Sequence, residues 1–346
     1  MKKQYRIRNW SEYNAGLKRR GSITFWLSTD VIDEWLVKTK TGLKGASKTY
    51  NDIAIATMST IKSVFSLAGR QAQGFAESVF ELMRIDLPVP DHSTVSRRLG
   101  SLQIKLPVKK KESARHLVVD STGIKVYGEG EWKTRQHGIS KRRTWRKLHL
   151  GIDETTGEII SAVATTNDYH DSQVLGDILE QSLRLKSRLA TLWRGCACVE
   201  EQISQVSTDG AYDTKADANA SQSSFRRRSA PSGLRYEQIG RKEAKAVIPP
   251  RKNAKIQQHG NCKAPPLTRD ENLRAIRQMG RQKWKRESGY HRRSIAETTM
   301  FRLKCIFGGS LSSRQFDNQA VELFLQCAAL NRMIQLCKPK SYIVAS

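Results

Sequence analysis

The chain has 346 residues, with 60 Lys and Arg against 33 Asp and Glu, a formal net charge of +27 and a pI near 10.1. A hydrophobic fraction of 38% supports a real core, while the cationic excess is larger than solubility requires and points to a polyanion as partner. No apolar run reaches the length of a membrane span and the opening MKKQYRIRNW lacks a signal-peptide core, so nucleic acid is favoured over a membrane surface.

Residues 1 to about 100 read as mainly helical. NWSEYNAGLKRRGSITFWL is aromatic and basic, and helical patterns follow near Tyr50–Leu67 and Gln71–Met83. In LPVPDHSTVSRRLGSL an Asp stands at an N-cap position before a short helix carrying Arg97 and Arg98. Such a helix suits either a DNA groove or a plain solvated surface. The charged stretch 104–115 then reads as a linker.

Beyond it the pattern alternates. HLVVDSTGIKVYG (116–128), WRKLHLGID and EIISAVATT read as three strands, with the turn ETTG between the last two. SQVLGDILEQSLRL (172–185) is an amphipathic helix, ISQVSTD (203–209) a fourth strand and AKAVIPP (244–250) a fifth, stopped by its prolines. The Ser- and Arg-rich stretch 216–238 has no period and reads as an irregular loop. Helices resume through RDENLRAIRQMGRQKW, YHRRSIAETTMFRLK and NQAVELFLQCAALNRMIQL. The six cysteines are scattered without a C-x-x-C pair, which argues against zinc.

Three carboxylates stand out. Asp120 follows the apolar run Leu117–Val119, and Asp209 closes the fourth strand; aspartates in such places are costly unless paired, hydrogen-bonded or metal-bound. Placed on one helix, Tyr290, Arg293, Glu297 and Lys304 fall within about 60° of each other at about 100° per residue, opposite Ile295, Ala296, Met300, Leu303, Ile306 and Phe307. Arg293 and Glu297 alone would be an ordinary i,i+4 surface pair. If the first and fourth strands lie side by side, however, Glu297 is a third carboxylate delivered to the same place. Three carboxylates there would need a hard cation, Mg²⁺ or Mn²⁺, and two such ions can serve phosphodiester chemistry. Arg293 and Lys304 would then face nucleic-acid phosphates. Asp153 and Asp213 are adequately explained as turn or helix caps, and His170 and Asp171 as a cap or a DNA contact. Lys141, Arg142 and Arg143, in a basic run flanked by Trp132 and Trp145, are candidate DNA-backbone contacts.

The segment YHRRSIAETTMFRLK fits Y-x2-R-x3-E-x6-K, and the chain thereby resembles the DDE insertion-sequence transposases. VVDSTGIKVYGEGEWK, HLGID, QVSTDGAYDT, AVIPPRKNA and FGGSLSSRQFDNQAVE look like further blocks of that family, and RNWSEYNAGLKRRGSITFWL is similar to the N-termini of its family-five branch. The resemblance runs from about Asn9 to Asn331. It implies an α/β, ribonuclease H-like mixed-sheet catalytic domain over 116–310, with an irregular insertion around 214–285. A helical, helix-turn-helix-like DNA-binding domain (1–103) precedes it and a C-terminal helical segment (311–346) follows. Asp120, Asp209 and Glu297 become the catalytic triad holding two Mg²⁺ (or Mn²⁺) ions, and Tyr290, Arg293 and Lys304 contact the transposon end.

The implied activity is cleavage at terminal inverted repeats and strand transfer into double-stranded target DNA, by a homodimer in the synaptic complex, in the bacterial cytoplasm on the nucleoid. A same-fold nuclease without strand transfer, and a non-catalytic DNA-binding repressor, are the alternatives.

Overall fold

The computed structural model describes residues 4–38, 48–111, 113–126, 145–183, 202–213, 239–240, 244–251, 253–258 and 266–344. They form two compact units, Met1–Pro107 with Cys305–Ser346, and Val108–Lys304. In chain order the first unit opens with strand β1 (Gln4–Ile7) and helices α1 (Trp10–Arg20), α2 (Ile23–Trp26), α3 (Thr29–Asp33), α4 (Asp52–Val64), α5 (Gly69–Leu82) and α6 (His92–Leu99). The second carries β2 (Arg115–Val126), β3 (Trp145–Asp153), β4 (Ile159–Thr165), α7 (Leu175–Leu183), β5 (Ile203–Thr208), β6 (Lys245–Val247), α8 (Thr268–Met279), α9 (Arg281–Glu287) and the start of α10 (Ser294–Phe307). The chain then returns to the first unit with α11 (Phe316–Leu336) and β7 (Ser341–Val344).

The first unit is built around α4, whose run of buried residues from Ile53 to Ser59 leaves no polar face over two turns. Ile55 and Ala56 pack with Leu99, Leu102, Val321 and Leu325. The C-terminal helix α11 therefore belongs with the N-terminal helices. The sequence reading placed it as a separate segment behind the catalytic domain, because an apolar helix face does not announce its partner. α11 also buries polar side chains, and these tie down chain. Glu322 accepts the Ser312 and Ser313 amides at 2.9 Å each, and Asn331 donates to the Pro107 carbonyl at 3.1 Å. Helix α6 begins where expected, with the Asp91 carboxylate accepting the Ser93 amide at 2.8 Å. The opening stretch differs from the helical expectation: β1 pairs antiparallel with β7, Gln4 opposite Val344.

The second unit is α/β, with a mixed sheet in the order β4-β3-β2-β5-β6. Strands β2, β3 and β4 form an antiparallel meander, whereas β2–β5 and β5–β6 are parallel. The apolar runs explain the centre: Leu117, Val118, Val119, Leu148, Leu150, Ile152 and Val206 are all buried. The β3–β4 turn is made by Asp153, whose carboxylate accepts the Thr155 amide at 2.8 Å and the Thr156 amide at 3.1 Å. Gly157 there adopts φ +68, which a side chain would resist. β6 runs into Pro249 and Pro250, which have no amide to continue the ladder. The boundary between the units falls inside the stretch expected as a linker. Its second half is anchored: the Lys109 amide reaches Glu158 at 3.4 Å and Lys111 reaches Thr155 at 2.9 Å.

Candidate active site

The sheet register brings the first two candidate carboxylates together. Strands β2 and β5 run parallel and adjacent, and the last paired residues are Val119 and Thr208. Asp120 is the next residue of β2, and Asp209 is the first residue beyond β5. Asp120 is largely buried, and three influences raise its pKa above the ordinary carboxylate value. Burial is the largest; the charges of Asp209 and Glu297 act in the same direction, against a hydrogen bond from the Ser121 amide and the Arg293 charge. An aspartate that feels Asp209 and Glu297 together shares one electrostatic neighbourhood with both.

Glu297 arrives on the first turn of α10. The stretch expected as one α-helix is divided: Tyr290–Arg293 form a 3₁₀ turn, and α10 begins at Ser294. Gly289, in a left-handed conformation at φ +71, sets the entry to that turn. Further along α10, Ala296, Met300, Leu303 and Phe307 are buried as expected, while Ile295 and Ile306 are half-buried. The 3₁₀ turn delivers Arg293 between the carboxylates. One terminal nitrogen donates to Asp120 Oδ2 and the other to Glu297 Oε1, both at 2.9 Å. Arg293 also lies 5.8 Å from the centroid of the Tyr290 ring, which Lys285 approaches at 4.9 Å from its ammonium. Burial raises the Tyr290 pKa, Arg293 lowers it, and Asp209, Asp120 and Glu297 raise it. The same three carboxylates are felt from a second vantage point.

The resemblance implies divalent metal, and the donor set fits one in kind, since three carboxylates offer only hard oxygen ligands. Among the described residues, however, no three His, Cys, Asp or Glu side chains stand close enough together to hold an ion. One oxygen of Asp120 and one of Glu297 are engaged by Arg293 instead. Among the described cysteines, Cys305, Cys327 and Cys337 are free thiols, and burial pushes Cys327 up to about 12.

The remaining candidates separate. Lys304 is half-buried, seven residues beyond Glu297 on α10. Arg97 is exposed on α6, its guanidinium folded back on Ser93 and Thr94 of the same helix. Arg98 is engaged within the fold. It donates to the Tyr50 carbonyl and to Asp52, both at 2.6 Å, and fastens α6 to the start of α4. From the sequence, the adjacent arginines looked alike; i to i+1 places them on different sides of a helix. Lys141, Arg142, Arg143 and Trp132 lie outside the described residues, as does the 216–238 loop. Asp153 caps the β3–β4 turn as expected, and is also ion-paired with Arg115 at 2.5 Å. Asp213 accepts from Arg269 at 2.8 Å and from the Arg251 amide at 3.1 Å, and the residues that follow it lie outside the described ones. His170 precedes a 3₁₀ turn, Asp171–Gln173, and its amide is accepted by Gln173.

Two residues near the carboxylates fall outside the catalytic group read from the sequence: Asp171, there a cap or a DNA contact, and Tyr212, which the sequence does not single out. Asp171 accepts from the Ser121 hydroxyl at 2.9 Å and from Lys147 at 3.4 Å, so a fourth carboxylate stands beside β2. Tyr212 is buried, and its pKa is raised first by burial and then by Asp171, Asp120 and Asp209. Its place three residues after Asp209 was a signal; the charge of Asp171 at long range was not.

Two family models, each described as a transposase DDE domain, match this chain. One covers residues 111–332, more than half of the sequence and nearly all of the mixed-sheet unit. The other covers residues 18–129.

Proposed function

The chain belongs to the DDE transposase family, and from that premise we propose that it cuts and joins DNA at the ends of an insertion sequence, with Asp120, Asp209 and Glu297 as its catalytic carboxylates. The observation that carries this reading is the meeting of separate elements at one place: β2 and β5 run side by side up to Asp120 and Asp209, and Arg293 bridges Asp120 to Glu297 at 2.9 Å each. Asp120 and Asp209 are half-buried while Glu297 is exposed, and the cost of holding two half-buried like charges together is characteristic of sites that bind hard cations. Two divalent ions bound there would favour ionisation of the attacking oxygen and neutralise the leaving oxygen of a phosphodiester.

The chain's own residues supply position. Tyr290 orients the Arg293 guanidinium, and Arg293 and Lys304 offer cations to the phosphates flanking the scissile bond. Water, then the 3′-hydroxyl exposed by the first cut, act in line as nucleophiles, without a covalent enzyme intermediate. The helices of the first unit, α6 with Arg97 among them, recognise the terminal inverted repeat. Two ends brought together call for two copies of the chain. Among the described residues no helix is long and apolar enough to cross a membrane.

The test is a strand-transfer assay with paired-end duplexes and Mg²⁺. Joined products support transposition. Cut but unjoined products would reduce the reading to a nuclease, and a bound, uncut duplex would leave only a DNA-binding protein.

A further inference from the structure

Arg293 is only 18% exposed and uses two different terminal nitrogens on two different carboxylates. This is a bridge and not the two-pronged clasp of a single carboxylate that guanidinium groups favour. One partner, Asp120, lies 173 positions away in the chain, on the sheet; the other is one helical turn ahead. The guanidinium thus stands between carboxylates from separate elements, where a shared cation would stand, and the described carboxylates do not close around an ion. A guanidinium is protonated at every accessible pH, so it cannot vacate the site by losing charge. It can leave only by moving.

We propose that Arg293 is the built-in counter-cation of the metal-free site, that divalent metal displaces it, and that the released guanidinium turns to a DNA phosphate. The proposal rests on the carboxylate assignment made above. Asp120 and Glu297 cannot offer the same oxygens fully to Arg293 and to a divalent ion, so metal and guanidinium compete. Phosphate oxygens accept the guanidinium fork as well as carboxylates do, and the 3₁₀ turn and the Tyr290 face keep it beside the site. Metal loading therefore raises affinity for DNA. By linkage, DNA raises affinity for metal by the same factor.

Mn²⁺ binding to the full chain, followed through the paramagnetic resonance signal of free Mn²⁺, tests this without any turnover. Losing one opposing charge a few ångströms away is worth about a tenfold change. Accordingly, R293Q should bind Mn²⁺ about tenfold more tightly than the wild type, and R293K, which keeps a cation, should remain close to it. Equal or weaker binding by R293Q overturns the counter-cation role while leaving the carboxylate assignment intact. No Mn²⁺ binding by either protein overturns the assignment itself. Should R293Q fail to fold, the wild type still decides. In ¹⁵N-arginine-labelled protein, the Nε signal of Arg293, identified by its loss in R293K, should move on adding Mg²⁺. A signal that stays in place as Mg²⁺ is added overturns the displacement.

Discussion

Asp120 and Asp153 lie on neighbouring strands of one sheet, three residues apart in register, because Asp153 pairs with Leu117. Their carboxyl groups are pushed in opposite directions. For both, burial is the largest influence and raises the pKa. At Asp153 it is outweighed by hydrogen bonds from Thr155, Thr156 and Arg115, and the group ends below its ordinary value. At Asp120 one amide and one guanidinium do not offset burial and two like charges, and the group ends above it. Depth in the sheet does not by itself decide how a carboxylate is held. The supply of donors does: Asp153 has enough to offset its burial, and Asp120, with two like charges beside it, does not.

The sharpest way to break that comparison is to remove both charges. D120N should lose at least about a thousandfold in DNA cleavage and joining while keeping its stability within about 1 kcal/mol, since the charge removed was poorly compensated. D153N should instead lose stability, by about 3–5 kcal/mol in a denaturant melt, because it leaves Arg115 buried without its anion. The reverse pattern would sink the distinction.

His149, fully buried on β3 and bonded to Thr165 at 2.9 Å, extends the comparison to a base. Burial lowers its pKa from 6.5 to about 4. The unfolded chain therefore takes up a proton that the folded chain refuses. Stability from this group is present above pH 6.5 and is lost as pH falls toward 4, by roughly 3 kcal/mol. H149Q should flatten that slope in pH-dependent melts; an unaltered slope would assign it elsewhere. The smallest effect is expected at the entry to the 3₁₀ turn. G289A should cost about 1 kcal/mol from the left-handed backbone and should weaken binding to a transposon-end duplex, leaving the Asp153 turn untouched. A change in stability with end binding intact would separate the turn from the site.

Much of this contrast is visible in the sequence. The runs LVV, KLHLGI and QVST, the ETTG turn and the paired prolines mark their strands, because each end is set by residues next to it. Asp120 and Asp209 draw notice because acids in or at the end of apolar strands are anomalous, and Glu297 because it is the lone acid on a cationic helix stripe. What stays hidden depends on distant partners. The i,i+4 rule finds Arg293 beside Glu297 but not its second hand on Asp120. The Arg98 tether to Asp52 and the Asp171 contact with Ser121 span 46 and 50 positions and follow no local period. The adoption of α11 by the first unit is of the same kind.

The β1–β7 ribbon carries a consequence for synthesis. Residues 4–7 find their strand partner only in residues 341–344, and α4 finds α11 only after residue 316. A nascent chain leaving the ribosome can complete its mixed sheet while its first-made helices still lack part of their core. A message cut short before the codon for Phe316 would yield a protein with its carboxylates in place and its first-translated helices unfinished.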